Sequence, residues 1–172
     1  MTPARRVPAV GGLAGGVGTT TVARALHAQD LGVVTGADPV PDVLLCRATA
    51  AGLAAASRVA PGQGPDRPVL AVLPLSTDPD GVDAAAAGTG WAAVVVLPLV
   101  PAWTRTPDPW SEAAAVLSAP RPSTAVRRYA EALGRIVTAL SAGERLTRPL
   151  VPRQRGPLRP LRGVVLRPGP GW

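Results

Sequence analysis

A chain of 172 residues with 47% apolar content is long enough to bury a core, and one compact domain is the expectation. Its net charge of +7 is carried by arginine alone: Lys, Asn and Phe are absent, while Ala, Val, Gly, Pro and Arg abound, as in proteins of GC-rich bacterial genomes. The single cysteine, Cys46, excludes an intramolecular disulfide, and no apolar run approaches the roughly 18 residues of a membrane span.

Residues 7–10 form a short apolar run that opens into a glycine-rich stretch, 11–18, the pattern of a strand feeding a loop. Arg5-Arg6 ahead of that stretch imitates a twin-arginine export signal. The stretch is poor in Leu, however, and Thr19, Thr20 and Thr21 interrupt it, so the cytoplasm is the expected compartment. Residues 20–31 read as a helix with apolar Val22, Ala25, Leu26 and Leu31, whose threonines suit a first turn where hydroxyls satisfy free amides. A brief strand at 32–35, a breaker at 36–41, a buried strand at 42–47 (DVLLCR) and an Ala-rich helix at 48–60 follow.

Residues 61–67 read as a loop, 68–75 (PVLAVLPL) as a strand and 80–87 as a short helix. Residues 91–100 carry the strongest strand signal, VVVLPLV, and 101–110 a Pro- and Trp-rich connection. The best amphipathic helix is 124–140, with Val126, Tyr129, Ala130, Leu133, Ile136, Val137 and Leu140 on one face. From about residue 141 Pro and Arg alternate without periodicity, so a body at 1–144 is expected to end in a disordered basic tail at 145–172. That tail holds seven arginines and no acid, so the whole net charge belongs to it. Strands alternating with helices predict an α/β fold with a parallel sheet flanked by helices.

The loop between the first strand and helix carries the chemistry. Glycines let successive backbone amides turn toward phosphate oxygens, at a helix start where the dipole favours an anion. Gly15, Gly16, Val17, Gly18, Thr19, Thr20 and Thr21 are the candidate nucleotide-binding residues, and Thr20 falls where a magnesium-binding hydroxyl belongs. Thr19 occupies the lysine position of G-x-x-x-x-G-K-[ST], and Leu13 replaces its first glycine. Arg24, the nearest arginine in sequence, lies a turn further on, so none is expected to stand in for the lysine. Removing a charge-assisted contact of about 1.5–3 kcal/mol weakens binding about 10- to 150-fold, and hydrolysis suffers more.

Residues 14–23 (AGGVGTTTVA) resemble the deviant phosphate loop of the MinD/ParA ATPases, K-G-G-x-G-K-T-T, with Ala14 at the signature lysine and Thr19 at the general one. In outline the resemblance extends over residues 7–140: 42–59 is similar to the strand and helix after that family's hydrolytic centre, and 69–75 and 94–101 to later strands. The ten residues 32–41 stand where full-length members carry their switch regions and Walker B aspartate. The resemblance thus implies a compact, lysine-free P-loop domain that binds ATP with magnesium without hydrolysing it, or serves as a scaffold. Relatives dimerise across the nucleotide partly through the signature lysine, so Ala14 argues against a homodimer.

Two other classes stay open. The first is an interaction module whose arginine tail binds an anionic partner, nucleic acid or a membrane surface. The second is a Rossmann-like dinucleotide domain, with Asp38 placed 20 residues after Gly18 as a ribose-binding acid, although no window satisfies G-x-G-x-x-G. His27 reads as a helix-surface residue, Cys46 as a small core residue, and Asp78, Asp80 and Asp83 as a turn and helix start. Trp103 and Trp110 read as loop packing, with a partner-binding anchor as the alternative.

Overall fold

The computed structural model describes residues 4–36, 38–59, 66–77 and 84–150. Five parallel strands, β1 (Ala9–Gly12), β2 (Gln29–Val33), β3 (Val43–Arg47), β4 (Val69–Leu73) and β5 (Ala93–Val96), form one sheet in the order β2-β1-β3-β4-β5. The helices are α1 (Thr19–Ala25), α2 (Ala50–Val59), α3 (Pro109–Ala114) and α4 (Thr124–Ala142). No described helix is long and apolar enough to cross a membrane.

The central strands are apolar almost throughout because helices cover both faces of the sheet. Successive side chains point to opposite faces. Val43 and Leu45 of β3, with Val69 and Ala71 of β4, accordingly face a core completed by Val22, Tyr129, Leu133 and Ile136. Leu44, Cys46, Leu70 and Val72 face the other, completed by Leu53, Ala56, Ala87 and Trp91. Tyr129 meets the ring of Trp103 edge-on at 4.9 Å between centroids, so Trp103 packs in the loop while Trp110 is 51% exposed.

Several expected bounds move. The first strand begins two residues late and includes Gly11 and Gly12, where packing leaves no space for a side chain: a Cβ on Gly12 would stand 2.2 Å from Thr19 Oγ1. The expected helix 20–31 ends at Ala25, because the chain turns there and pairs as β2. Ala28 N–H donates to Ala23 O (2.8 Å) and His27 N–H to Arg24 O (3.2 Å), with His27 left-handed at φ 49°, and Gln29 N–H then takes Pro8 O (2.8 Å). Leu31 is therefore a strand residue, and the strand expected at 32–35 starts at Gln29. β5 stops at Val96, since Pro98 has no amide to extend the ladder.

The connection at 101–110 contains a 3-10 turn at Pro101–Thr104 and leads into α3, whose N-cap Asp108 accepts from Ser111 N–H (3.1 Å) ahead of Pro109. The expected amphipathic helix is α4, capped by Ser123, but Val137 faces outward at 43% exposure and Ala132 takes an inward place. Residues 61–65, the start of the expected helix 80–87, Asp78, Asp80, Asp83 and residues 151–172 lie outside the described residues; Ala84–Ala87 forms a 3-10 turn.

Residues 145–150, assigned from sequence to the tail, pack on the body. Arg145–Thr147 forms a 3-10 turn, and Arg145 Nε donates to Asp42 Oδ1 (2.8 Å). Asp42 is fully buried, and its Oδ2 also accepts from Arg6 Nη1 (2.5 Å) and Ala9 N–H (2.8 Å). Arg6, half of the export-like pair, is thus held in a buried ion pair that raises its pKa, chiefly by hydrogen bonding to Asp42.

Candidate functional site

The strand order creates the site. From β1 the chain moves outward to β2 and then returns across β1 to β3, so the loops leaving the carboxyl ends of β1 and β3 diverge. Such a switch point opens a crevice, where doubly wound sheets take their ligands. The loop after β1 carries the glycines, and α1 and α2 descend on opposite faces of the sheet.

Gly16 and Gly18 adopt φ of 71° and 79°, a left-handed region that side chains disfavour. These turns carry the chain from β1 into α1 with Gly18 as N-cap, and no side chain caps the helix. Among the described residues nothing accepts from the amides of Gly18, Thr19, Thr20 and Thr21, the groups a helix start leaves free. Ala14, Gly15, Gly16, Gly18, Thr19, Thr20, Thr21, Gly32 and Val33 line a cavity of about 240 Å³. Val17, by contrast, is buried in the core below the loop, where only its backbone can serve a ligand.

The two threonines of the motif part ways. Thr19 is buried and turns its hydroxyl toward Gly12, beneath the loop, so the lysine position holds a packing residue. Thr20 is exposed and donates to Asp30 Oδ2 (2.7 Å), while Asp30 Oδ1 accepts from Gly32 N–H (2.8 Å). Thr20 lines both this cavity and a second one, and Asp30 lines only the second, so the hydroxyl meets its carboxylate partner outside the lining of the glycine-loop cavity.

The expectation of a loop without a nearby arginine is corrected. Arg47, the last residue of β3, places its guanidinium against the loop: a Cβ on Gly16 would stand 3.5 Å from Arg47 Nη2. Sequence distance concealed this neighbour, since Arg47 is 31 positions from Gly16 and only the pairing of β1 with β3 brings them together. Among the described residues Arg47 makes no ion pair, and its side chain donates to no acceptor. The signal was a charged residue ending an otherwise apolar strand, at the end where ligands sit. Asp30 was hidden differently, inside the stretch taken for helix.

The remaining candidates fall elsewhere. Asp38 lies beyond β2 and accepts from Thr35 N–H (2.7 Å) and Thr35 Oγ1 (2.8 Å), closing a turn. His27 is exposed and shares a second cavity, about 480 Å³, with Thr20, Ala23, Arg24, Ala28, Asp30 and Ala114. Cys46 is buried, and burial pushes its thiol up to about 11, far from a nucleophile's range. Comparison of the chain with protein-family models, curated proteins and solved structures finds no match.

Proposed function

We propose that this chain is a non-hydrolytic phosphate-binding domain, a lysine-free P-loop of MinD/ParA-like descent that senses a nucleotide or acts as a nucleotide-dependent scaffold. The observation that carries the reading is the glycine loop at the switch point: left-handed Gly16 and Gly18, and free amides from Gly18 to Thr21 beside a cavity of about 240 Å³. Thr19 offers no charge where lysine would stabilise the transition state, which favours binding over hydrolysis. The ligand in this reading is a cytoplasmic nucleotide such as ATP, and accompanying magnesium meets the Thr20 hydroxyl.

Calorimetric titration of ATP with magnesium into the full chain tests it, beside Gly18→Val and Gly15→Asp. Valine at a φ of 79° strains the loop, whereas a Cβ at Gly15 meets nothing within 4 Å, so Gly15→Asp puts a carboxylate into the cavity without a clash. Saturable binding by the native chain that Gly15→Asp removes supports the reading. Absence of binding at millimolar ATP by the folded chain refutes it.

The basic tail remains the rival, and its root is separable from the loop. Arg145 is anchored on Asp42, ahead of β3, at the opposite end of the sheet from the glycines. Replacing Arg153, Arg155, Arg159, Arg162 and Arg167 by Gln leaves that anchor in place. If the tail alone captures polyanions, this variant loses ATP and nucleic acid alike while Gly15→Asp loses neither.

A further inference from the structure

We infer that the cavity at the amino end of the sheet, beside residues 145–150, binds a small zwitterion, an α-amino acid with an aliphatic side chain, through the ion pair of Asp66 and Arg148. The site is separate from the glycine loop and does not rest on the phosphate-binding reading. The cavity measures about 370 Å³, within the range of small-molecule pockets. Arg6, Asp66, Arg145 and Arg148 give it a polar lining. Val40, Pro149 and Leu150 give it an apolar one.

The polar groups are unequally satisfied. The Arg6 guanidinium is committed to Asp42 and to the carbonyls of Val7, Arg145 and Arg148. That of Arg145 is committed to Asp42 and to the carbonyls of Val40, Pro41 and Asp66. Asp66 differs: its Oδ2 accepts from Arg148 Nη1, but its Oδ1 is buried and has no hydrogen-bond partner among the described residues. A carboxylate oxygen withdrawn from water without a donor is costly, and a bound group is a common reason for one. The Asp66 side chain is 26% exposed, and turning the carboxylate about its last bond exchanges the two oxygens, so a donor in the cavity can reach it. Arg148 is 57% exposed, and its Nε donates to nothing among the described residues.

Charge selects the ligand. A lone amine would face three guanidiniums, and a lone carboxylate would face Asp66 and leave its oxygen without a donor. A zwitterion meets both demands, its ammonium on Asp66 and its carboxylate on Arg148, in two charge-assisted contacts running antiparallel. An α-amino acid holds its charges one carbon apart, which matches an arginine and an aspartate already in contact. Val40, Pro149 and Leu150 then favour an aliphatic side chain over a polar one.

Calorimetric titration of the full-length native chain with L-leucine tests this, beside isocaproate, which lacks the ammonium, and isoamylamine, which lacks the carboxylate. Leucine is expected to bind saturably, and each truncated ligand about 10-fold or more weakly. Asp66→Asn keeps the side-chain size and should weaken leucine binding by a similar factor, whereas Gly15→Asp should leave it unchanged. Because Asp66→Asn also loosens Arg148, its thermal midpoint is read beside the titration, and the ligand series on the native chain decides the matter if that variant fails to fold. Absence of saturable binding at millimolar leucine by the folded native chain overturns the inference. So does binding of either truncated ligand within twofold of leucine, or leucine binding by folded Asp66→Asn within twofold of native. Loss of leucine binding in Gly15→Asp would place the ligand at the glycine loop and overturn it as well.

Discussion

Asp42 keeps a carboxylate at zero exposure because four donors meet its two oxygens: Arg6 through both terminal nitrogens, Arg145 Nε and the Ala9 amide. Removing one partner of a buried pair leaves the others without a counter-charge. Asp42→Asn is therefore expected to lose about 3–5 kcal/mol of stability, read from the urea midpoint, and a loss under 1 kcal/mol would contradict the account. At Gly134 the opposite sign holds. It lies in the middle of α4, exposed, and an added Cβ meets nothing within 4 Å, so Gly134→Ala should stabilise by about 0.5–1 kcal/mol in a thermal melt. Cys46 adds a pH dependence. Burial lifts its thiol from an ordinary 9.0 to about 11, and burial lifts the Tyr129 hydroxyl as well. The unfolded chain releases these protons first, so stability is full below pH 9.0 and falls as pH rises toward about 11. Cys46→Val should flatten part of that fall, and native Cys46 should resist aromatic disulfide reagents at pH 8 until the chain unfolds.

Among the elements, α1 shows how a helix stop overrides periodicity. Leu31 continues the apolar spacing of Val22, Ala25 and Leu26, yet His27 in the left-handed region closes the helix with the paired 6→1 and 5→2 hydrogen bonds of a Schellman turn. Glycine takes that conformation without side-chain cost, so His27→Gly should raise stability by about 0.5–1 kcal/mol; a lower melting point would mean that the His27 side chain supports the turn. The buried strands β3 and β4 and the amphipathic α4 were legible because unbroken apolar runs and a 3.6-residue stripe each have one physical interpretation in a covered parallel sheet. The helix α3 was not read, because the Pro- and Trp-rich composition of 101–110 masked a helix of six residues that Asp108 caps ahead of Pro109. The glycine loop was readable because its chemistry is local. Arg47 and Asp30 were not, since each reaches the loop through a strand pairing or a chain turn that residue spacing does not encode.

The whole molecule separates two tasks along the strand axis. The carboxyl ends of β1 and β3 carry the glycine loop and Arg47, while at the amino ends Asp42 binds residues from both ends of the described body. Arg6 N–H donates to Leu146 O (2.9 Å), and its guanidinium to Arg148 O (2.6 Å) and Arg145 O (3.3 Å). Arg145 in turn reaches Asp66 O (2.6 Å), Val40 O (2.7 Å) and Pro41 O (3.0 Å). The segment 145–148 therefore closes the N-terminal side of the sheet, and where a truncation falls decides its effect. A chain ending at residue 150 keeps every one of these bonds and should melt within a few degrees of the full chain. A chain ending at residue 144 leaves Asp42 with Arg6 and the Ala9 amide, and strips that arginine of three carbonyl acceptors. At about 3 kcal/mol for a broken buried pair, and about 2–4 °C per kcal/mol for a domain of this size, it should melt roughly 10 °C lower. Scanning calorimetry of the two truncations measures the difference directly. Equal melting would show that the clasp contributes nothing beyond the sheet it closes. A large gap would mean that tail deletions for binding studies must begin after residue 150, or lost folding will be mistaken for a lost ligand.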